Sequence, residues 1–304
     1  MNKTMRLAVL ALALLMLPVG AAQANHQSDF YVIPTAAHIV GANNTLFMTD
    51  IAVQNLQSTP LTIDLIFVET SENNPDNVFP ILPAGTTGAT SFVVPAGGNL
   101  LIKDVLNGFM GGRTTANNIL GAILIGSQDG RAFAVTSRTY STSPNGGTVG
   151  VTVPAVRDLL TNASGNTNTA MAVAYVPGLI VNSQYRTNLG FVAANIGSEP
   201  LFVEVSLRNA MGPILNAKRT FTIAAGNISQ LQFSSRAVSD TTFDIGSAEF
   251  RIVQGSGSVV PFATVIDNVS QDPVYISGVF PPNNNITLST LFFRQIFSRS
   301  TSDR

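Results

Sequence analysis

The chain has 304 residues, with 16 Lys plus Arg, 17 Asp plus Glu, two His and neither Cys nor Trp, and its formal net charge is −1. This near-neutral balance argues against a nucleic-acid-binding protein, because neutralising phosphates requires a large excess of Lys and Arg. The absence of cysteine excludes disulfides, cysteine-based structural zinc and thiol catalysis. We therefore expect a globular protein without a resident cofactor.

The first residues have the pattern of a signal peptide. Lys3 and Arg6 precede an apolar run from Leu7 to Val19, and Ala22-Gln23-Ala24 fits a small-x-small cleavage site. This predicts a signal peptide over residues 1–24 and an exported protein that is periplasmic, cell-surface or extracellular; the alternative is an uncleaved anchor. No later stretch approaches ~20 apolar residues, so no transmembrane span is predicted in the mature chain. Export without cysteine favours a bacterial secretory route.

The composition favours strands over helices. Charged residues make up only 11% of the chain, whereas Asn, Ser and Thr are abundant, and there are 25 Gly and 16 Pro. Helices normally carry Glu, Lys and Ala, while short strands joined by turns use β-branched residues, Gly and Pro. The sequence therefore predicts an all-β fold.

The two halves of the chain repeat one another. Asn55 to Pro60 leads into the alternating run Leu61 to Phe67, and Asn195 to Pro200 leads into Leu201 to Leu207, and the two stretches align without a gap. Strict alternation places every second residue on one pleated face. It predicts that Asp64 and its counterpart Glu204 point toward water.

Further matches follow in the same order along both halves. They are Tyr31-Val32-Ile33-Pro34 with Tyr175-Val176-Pro177, Thr49-Asp50-Ile51 with Thr187-Asn188-Leu189, and Val94 to Asn99 with Ile223 to Asn227. Each copy has about 110–130 residues, a common domain size, and about seven alternating runs separated by turns. This count predicts two tandem immunoglobulin-like antiparallel β-sandwiches.

These motifs also carry a family resemblance. The Tyr-Val-x-Pro opening, the Thr-Asp/Asn-hydrophobic strand, the Asn-x-x-Ser-x-Pro turn and the Ala-Gly-Asn turn resemble those of exported bacterial proteins built from tandem immunoglobulin-like β-sandwich domains, mostly without assigned function. The resemblance covers Phe30 to Pro281. It departs from antibody-type domains because both cysteines and the core Trp are absent. It implies a fold and almost nothing about activity.

The predicted boundaries follow from the repeat. We expect a first sandwich over residues 25–160, a polar linker over 161–169, a second sandwich over 170–282 and a C-terminal tail over 283–304. One larger sandwich with a long surface loop is the alternative. Short helices are predicted at Lys103 to Phe109 and at Ala155 to Leu160.

The tail differs from both repeats because its apolar residues have helical spacing. One interpretation is an amphipathic segment that packs on the second sandwich and covers an edge. The other is a segment that docks on a partner protein, another copy of the chain or an anionic membrane surface. The candidate partner-binding residues are Leu291, Phe292, Phe293 and Phe297.

Searches for catalytic motifs return none of the common signatures, although a carboxylate-based hydrolase stays open. His38 is interpreted as an ordinary surface or turn residue, and Ser256 as part of a hairpin turn. The best metal candidate is an oxygen-rich loop in which Glu69, Glu72 and Asp76 would bind Ca²⁺. Its spacing matches no calcium motif, so a solvated loop is the favoured interpretation.

The sequence therefore favours a non-enzymatic exported protein. We expect a cell-surface or extracellular structural or adhesive component that acts through protein–protein contacts or self-association. A glycan- or ligand-binding module is the first alternative, and a periplasmic chaperone for fibre subunits is the second.

Overall fold

The computed structural model describes residues 28–41, 45–71, 78–81, 91–107, 118–142, 147–162, 173–195, 197–280 and 285–287. In these ranges the chain is built from antiparallel strands, and the helical content is one 3₁₀ turn at Ser235–Ala237. No helix in the described part of the chain is long and apolar enough to cross a membrane. The predicted all-β fold is confirmed. The predicted signal peptide and most of the tail lie outside the described residues.

The strands fall into two sequential units with a connecting strand between them. The first unit contains β1 (Phe30–Val40), β2 (Leu46–Asn55), β3 (Leu61–Glu69), β4 (Val78–Ile81), β5 (Phe92–Val94), β6 (Asn99–Ile102), β7 (Asn118–Ser127), β8 (Phe133–Thr142) and β9 (Thr148–Val153). The connecting strand is β10 (Asp158–Asn162). The second unit contains β11 (Val173–Val181), β12 (Tyr185–Asn195), β13 (Leu201–Asn209), β14 (Gly212–Ile223), β15 (Ile228–Ser234), β16 (Phe243–Gln254), β17 (Gly257–Asp267) and β18 (Pro273–Ser277), and β19 (Asn285–Thr287) follows it.

The two units have the same strand pairing. In the first, β7 lies between β1 and β3, and β2 lies between β6 and β8. In the second, β16 lies between β11 and β13, and β12 lies between β15 and β17. Each unit is thus a sandwich of two layers, which agrees with the repeat seen in the sequence.

The first unit differs from the second in one connection between its layers. Strand β1 pairs with β7 along most of its length and also with β2 at its end, so the two layers form one continuous sheet. The register shifts between Ile33 and Ala36, where Pro34 has no N–H to donate to a ladder. This bulge lets β1 pass from one layer to the other.

A buried asparagine explains why the Asn-x-x-Ser-x-Pro turn occurs twice. The Asn55 Nδ2 donates to the carbonyl of Val94 at 3.1 Å, and the Asn195 Nδ2 donates to the carbonyl of Ile223 at 3.0 Å. Each also donates to the carbonyl four residues later, at 2.8 and 2.9 Å. The repeated motif therefore ties the turn after one strand to a neighbouring strand, which is a structural role.

Each unit has its own apolar core, and a third apolar cluster joins the units. Side chains of both layers form a core in the first unit, around Phe67 and Ile123, and in the second, around Phe191 and Phe250. We call the third cluster the joint. It contains Phe30, Val32, Ile66, Val68, Ala122 and Leu124 of the first unit and Val192, Ala194, Ile228 and Val260 of the second.

The connecting segment pairs with both units. Val156 exchanges two backbone hydrogen bonds of 2.7 Å with Val32 of β1, and four residues later Leu160 of β10 pairs with Val259 of β17. Strand β19 pairs with the other side of β10. The predicted boundary at residues 160 and 161 lies inside β10, and residues 163–169 of the predicted linker lie outside the described residues.

Three sequence expectations about the course of the strands are wrong. Asp64 is buried rather than solvated: it lies on the same side of β3 as Ile66 and Val68 of the joint, and Ser91 and Gln128 donate to its carboxylate. Tyr31 lies in the core of the first unit whereas Tyr175 is exposed, since the bridge of Tyr175 to Val279 makes it the counterpart of Val32 and not of Tyr31. Neither predicted short helix forms: residues 103–107 are a turn, and residues 158–160 belong to β10.

Candidate functional site

The joint defines two kinds of sheet face in this molecule. We call the side of β1, β3 and β7 that faces away from the unit's own core the upper face, and its counterpart on β11, β13 and β16 is the upper face of the second unit. The corresponding side of β2, β6 and β8, or of β12, β15 and β17, is the lower face. The joint packs the upper face of the first unit on the lower face of the second. One lower face and one upper face therefore stay exposed, at opposite ends of a four-layered stack.

The upper faces of the two units differ in polarity position by position. Strands β3 and β13 align without a gap, and the cross-strand register then fixes the other counterparts. The side chains that are apolar and buried in the first unit are replaced by polar or charged ones in the second. The pairs are Val32 and Tyr175, Ile66 and Ser206, Val68 and Arg208, Ala122 and Ser247, and Leu124 and Glu249.

Two arginines hold a buried glutamate at the centre of the exposed upper face. The Glu249 side chain is only 4% exposed. Its Oε2 accepts from the Arg208 Nε at 3.0 Å, and its Oε1 accepts from the Arg251 Nε at 3.1 Å. The Arg208 guanidinium lies 6.0 Å from the centre of the Tyr175 ring, and the Lys218 Nζ lies 3.3 Å from the Glu204 carboxylate on the same side of the sheet. The arginines and the tyrosine are thus fixed in orientation while still reaching solvent.

The electrostatics of this cluster keep Glu249 ionised. Burial alone would raise the pKa of its carboxyl, but the hydrogen bonds and charges of Arg251 and Arg208 outweigh burial and hold that pKa below its ordinary value. The contrast is Asp64 of the first unit, in which burial raises the pKa of the carboxyl despite hydrogen bonds from Ser91 and Gln128. Two neutral donors do not replace two guanidinium groups.

The exposed lower face of the first unit carries a second polar cluster. The Asp50 Oδ1 accepts from the backbone N–H of Asp104 at 2.8 Å and from the Tyr140 hydroxyl at 3.3 Å. Arg138 lies opposite Asp50 in the register, but its guanidinium stacks 5.2 Å from the Tyr140 ring centre and donates to the Thr148 hydroxyl at 2.7 Å. Burial and the nearby Asp50 carboxylate raise the pKa of the Tyr140 hydroxyl. No carboxylate in the described ranges forms an ion pair with Arg138.

His38 belongs to the edge of this cluster and is not an ordinary surface residue. It is 7% exposed, and its Nδ1 lies 2.9 and 3.0 Å from the two carboxylate oxygens of Asp104. Asp104 has a φ of 44°, a left-handed conformation that costs a non-glycine residue about 1–3 kcal/mol. Its two partners, His38 and Asp50, hold it there. The second unit has Asn188 in place of Asp50 and no histidine.

The comparisons with known proteins do not assign this chain to a family. No protein-family model and no curated protein matches it. Among solved structures it is similar to a chain of the "Structure of infectious bursal disease virus Gx strain", with 13% sequence identity and a TM-score of 0.20. The match covers 86% of this chain and 64% of that one, so the chain spans less than two thirds of that protein's length. At that TM-score the likeness carries no argument about fold or function.

The predicted site residues are mostly beyond the described ranges. Glu69 ends β3, while Glu72 and Asp76 lie outside the described residues, so the Ca²⁺ site stays a prediction. Within the part of the chain that the structure describes, no three His, Asp or Glu side chains are grouped to hold a metal ion. The partner-binding residues Leu291, Phe292, Phe293 and Phe297 also lie outside it and stay a prediction. Ser256 forms a turn between β16 and β17.

The charged upper face was missed although the sequence contains its signal. In the gapless alignment of the two repeats, Ile66 corresponds to Ser206 and Val68 corresponds to Arg208. A change from apolar to polar at these two neighbouring outward positions means that one copy buries this part of the face and the other exposes it. The His38 and Asp104 pair had no such signal, because the two residues are far apart in the sequence.

Proposed function

We propose that this protein is a non-enzymatic structural or adhesive component of the bacterial cell surface or extracellular space, acting through protein–protein contacts. The observation that carries the proposal is the joint. It packs two sandwiches into one body with two exposed sheet faces, and it uses one sheet face as a protein-docking surface within the chain itself. The same face of the second unit is open to a partner.

Three features make the joint a rigid one. Its apolar side chains are fully or nearly fully buried, as in a permanent interface and unlike a transient one. The connecting segment pairs with a strand of each unit. Tyr275 of β18 packs against the core of the first unit and stacks on Phe262 at 5.8 Å between ring centres. A stiff body with separated contact surfaces suits a load-bearing or bridging role.

The exposed upper face has the residues that protein interfaces use most. Tyrosine and arginine are enriched among the side chains that contribute most to binding, especially when they are held in place before the partner arrives. Glu249 orients both Arg208 and Arg251 in this way. The face is therefore prepared for a polar or acidic partner.

Deletion of the gene in its source bacterium tests this role. We expect weaker retention of cells on a surface, or a weaker matrix, and restoration by the wild-type chain. Val192→Asp, which places a charge in the joint, should fail to restore it, while Val269→Asp, at a side chain that is 85% exposed, should restore it fully. The proposal is wrong if the deletion strain attaches like the wild type and the protein is recovered only as a freely diffusing species.

A glycan-binding module is the second candidate, and the observation that favours it is the Arg138 guanidinium, which stacks on Tyr140 without an ion pair in the described ranges. Saccharide sites combine an aromatic ring with charged donors and acceptors on an open surface. Tyr140, Arg138 and Asp50 provide these groups on the lower face of the first unit. Affinity electrophoresis in gels containing neutral or acidic polysaccharides tests it: retardation of the wild type that disappears in Arg138→Ala would support this candidate over the first.

A further inference from the structure

The joint contains a polar contact that Gln230 of the second unit makes with residues of the first unit, and the repeat predicts an equivalent contact between separate molecules. Gln230 on the lower face of the second unit is fully buried against the upper face of the first. Its backbone forms a parallel bridge with Thr70 and accepts from the Ser71 N–H at 3.1 Å. Its Nε2 donates to the Pro34 carbonyl at 3.4 Å, and its Oε1 accepts from the Thr70 hydroxyl.

The repeat places the counterparts of these residues on the two exposed faces. Gln230 lies opposite Val192 in the second unit, and Leu101 lies opposite Ala52 in the first. Val192 and Ala52 are counterparts, because each lies three residues before the buried asparagine of its own unit. All the counterparts are apolar and exposed. They are Leu101 for Gln230, Ala210 for Thr70, Met211 for Ser71 and Pro177 for Pro34.

The exposure of these side chains is high for apolar residues. Met211 is 94% exposed and Leu101 is 56% exposed, whereas Gln230 is 0% exposed. If the lower face of one molecule docked on the upper face of another as in the joint, Leu101 would meet Ala210, Met211 and Pro177. A polar contact inside the chain would thus be replaced by an apolar contact between chains.

At most other positions of the joint the exchange is reversed: residues that are apolar inside the chain have polar counterparts on the exposed faces. Inside the chain, Ile66, Val68 and Leu124 meet an apolar lower face. Their counterparts Ser206, Arg208 and Glu249 would meet the polar lower face of the first unit. On that lower face, the positions of Ala194, Ile228 and Val260 are occupied by Gln54, Asn99 and Thr136, and Ala52 occupies the position of Val192. Except at Ala52, polar residues would therefore meet polar residues, while the apolar residues around Leu101 would meet apolar residues.

We propose that this protein associates with itself head to tail, with the lower face of the first unit of one molecule docked on the upper face of the second unit of the next. The inference rests on the structural role proposed above and names a second copy of this chain as the partner. The two faces are different, so a docked pair still has one free face at each end, and the contact generates chains or rings rather than two-fold dimers.

Cysteine pairing tests this contact, because the chain has no native cysteine. Bridge-paired backbones have the separation that a disulfide requires, and Thr70 and Gln230 are so paired in the joint. Leu101→Cys mixed with Ala210→Cys should give a disulfide-linked heterodimer under mild oxidation, identified by mass spectrometry of the linked peptides. The two positions lie about 30 Å apart within one molecule, since stacked sheets are ~10 Å apart, so no internal bond competes.

The matched control is Leu101→Cys mixed with Val269→Cys, which places the second thiol on an exposed loop away from both faces. Head-to-tail docking predicts at least a tenfold faster pairing of 101 with 210 than of 101 with 269, and a ladder of multimers from the chain carrying both 101 and 210 cysteines. Equal rates, or dominant pairing of 101 with itself, would overturn the inference.

Sedimentation of the full mature chain supplies a second readout. The mean mass of the wild type should rise with protein concentration, and Met211→Asp or Leu101→Asp should remove that rise while leaving the thermal unfolding midpoint unchanged. A wild type that stays monomeric at all concentrations overturns self-association. If such a monomer still restores attachment to the deletion strain, the structural role survives and only the identity of the partner is wrong.

Discussion

Ile66 is fully buried in the joint, and its replacement by serine, the residue at the equivalent position of the second unit, tests how strongly the units are coupled. Loss of the buried isoleucine contacts costs about 2–4 kcal/mol. The serine hydroxyl adds about 1–3 kcal/mol if it finds no hydrogen-bond partner in this apolar cluster. We therefore expect the free energy of unfolding to fall by about 4 kcal/mol, a large part of a typical domain stability of about 5–15 kcal/mol.

Urea unfolding followed by far-ultraviolet circular dichroism and by tyrosine fluorescence measures this change. The chain has no Trp, so its five tyrosines dominate the emission. With an m value of about 2 kcal/mol per M, the midpoint should fall by about 2 M. The matched control is Ser206→Ile, the reverse exchange on the exposed upper face, which should change stability by less than about 0.5 kcal/mol. A loss below about 1 kcal/mol for Ile66→Ser would refute the burial of this face.

Three further changes probe the polar groups. Asn195→Ala removes the donor to the carbonyls of Glu199 and Ile223, and we expect the free energy of unfolding, measured by thermal denaturation, to fall by about 2–3 kcal/mol. An unchanged unfolding midpoint would contradict a structural role for these hydrogen bonds. Glu249 has a lowered pKa when folded, so its contribution is present above its ordinary pKa of 4.5 and is lost as the pH falls. Glu249→Gln should therefore be less stable than the wild type at pH 7, and its unfolding midpoint should fall less steeply as the pH is lowered. Equal slopes for the two proteins would count against a stabilising charge on Glu249. Asp64 has a raised pKa when folded, so its contribution is greatest below 3.8 and is lost as the pH rises through the folded pKa. Asp64→Asn should raise the midpoint at pH 7 and change it little at pH 3, and an equal shift at both pH values would show that charge is not the cause.

The sequence predicts the fold class because its signals are local. Alternation, turn residues and the repeated asparagine motif each report on a few neighbouring residues, and β13 alternates buried and partly exposed positions as expected. Strand β3 has an equally regular sequence, yet six consecutive residues from Ile63 to Val68 are buried. Alternation cannot reveal a second covered face, because that cover comes from the other unit.

The polar clusters were less accessible to prediction for the same reason. His38 and Asp104 meet only because β1 crosses between layers and the turn after β6 is pinned to β2. Glu249 and Arg208 lie on neighbouring strands, and the register between them cannot be deduced from the sequence of either strand alone. The charged face is visible in the sequence only through the repeat, because aligned outward positions are apolar in one copy and polar in the other.

The path of the chain through β10 has a consequence for how the joint behaves on dilution. Only three residues separate Val156, which pairs with β1, from Leu160, which pairs with β17. A tether this short holds the two sandwiches at an effective concentration in at least the millimolar range, so their pairing does not depend on how much protein surrounds them. On dilution, the two-unit body therefore stays intact as the smallest particle of this protein.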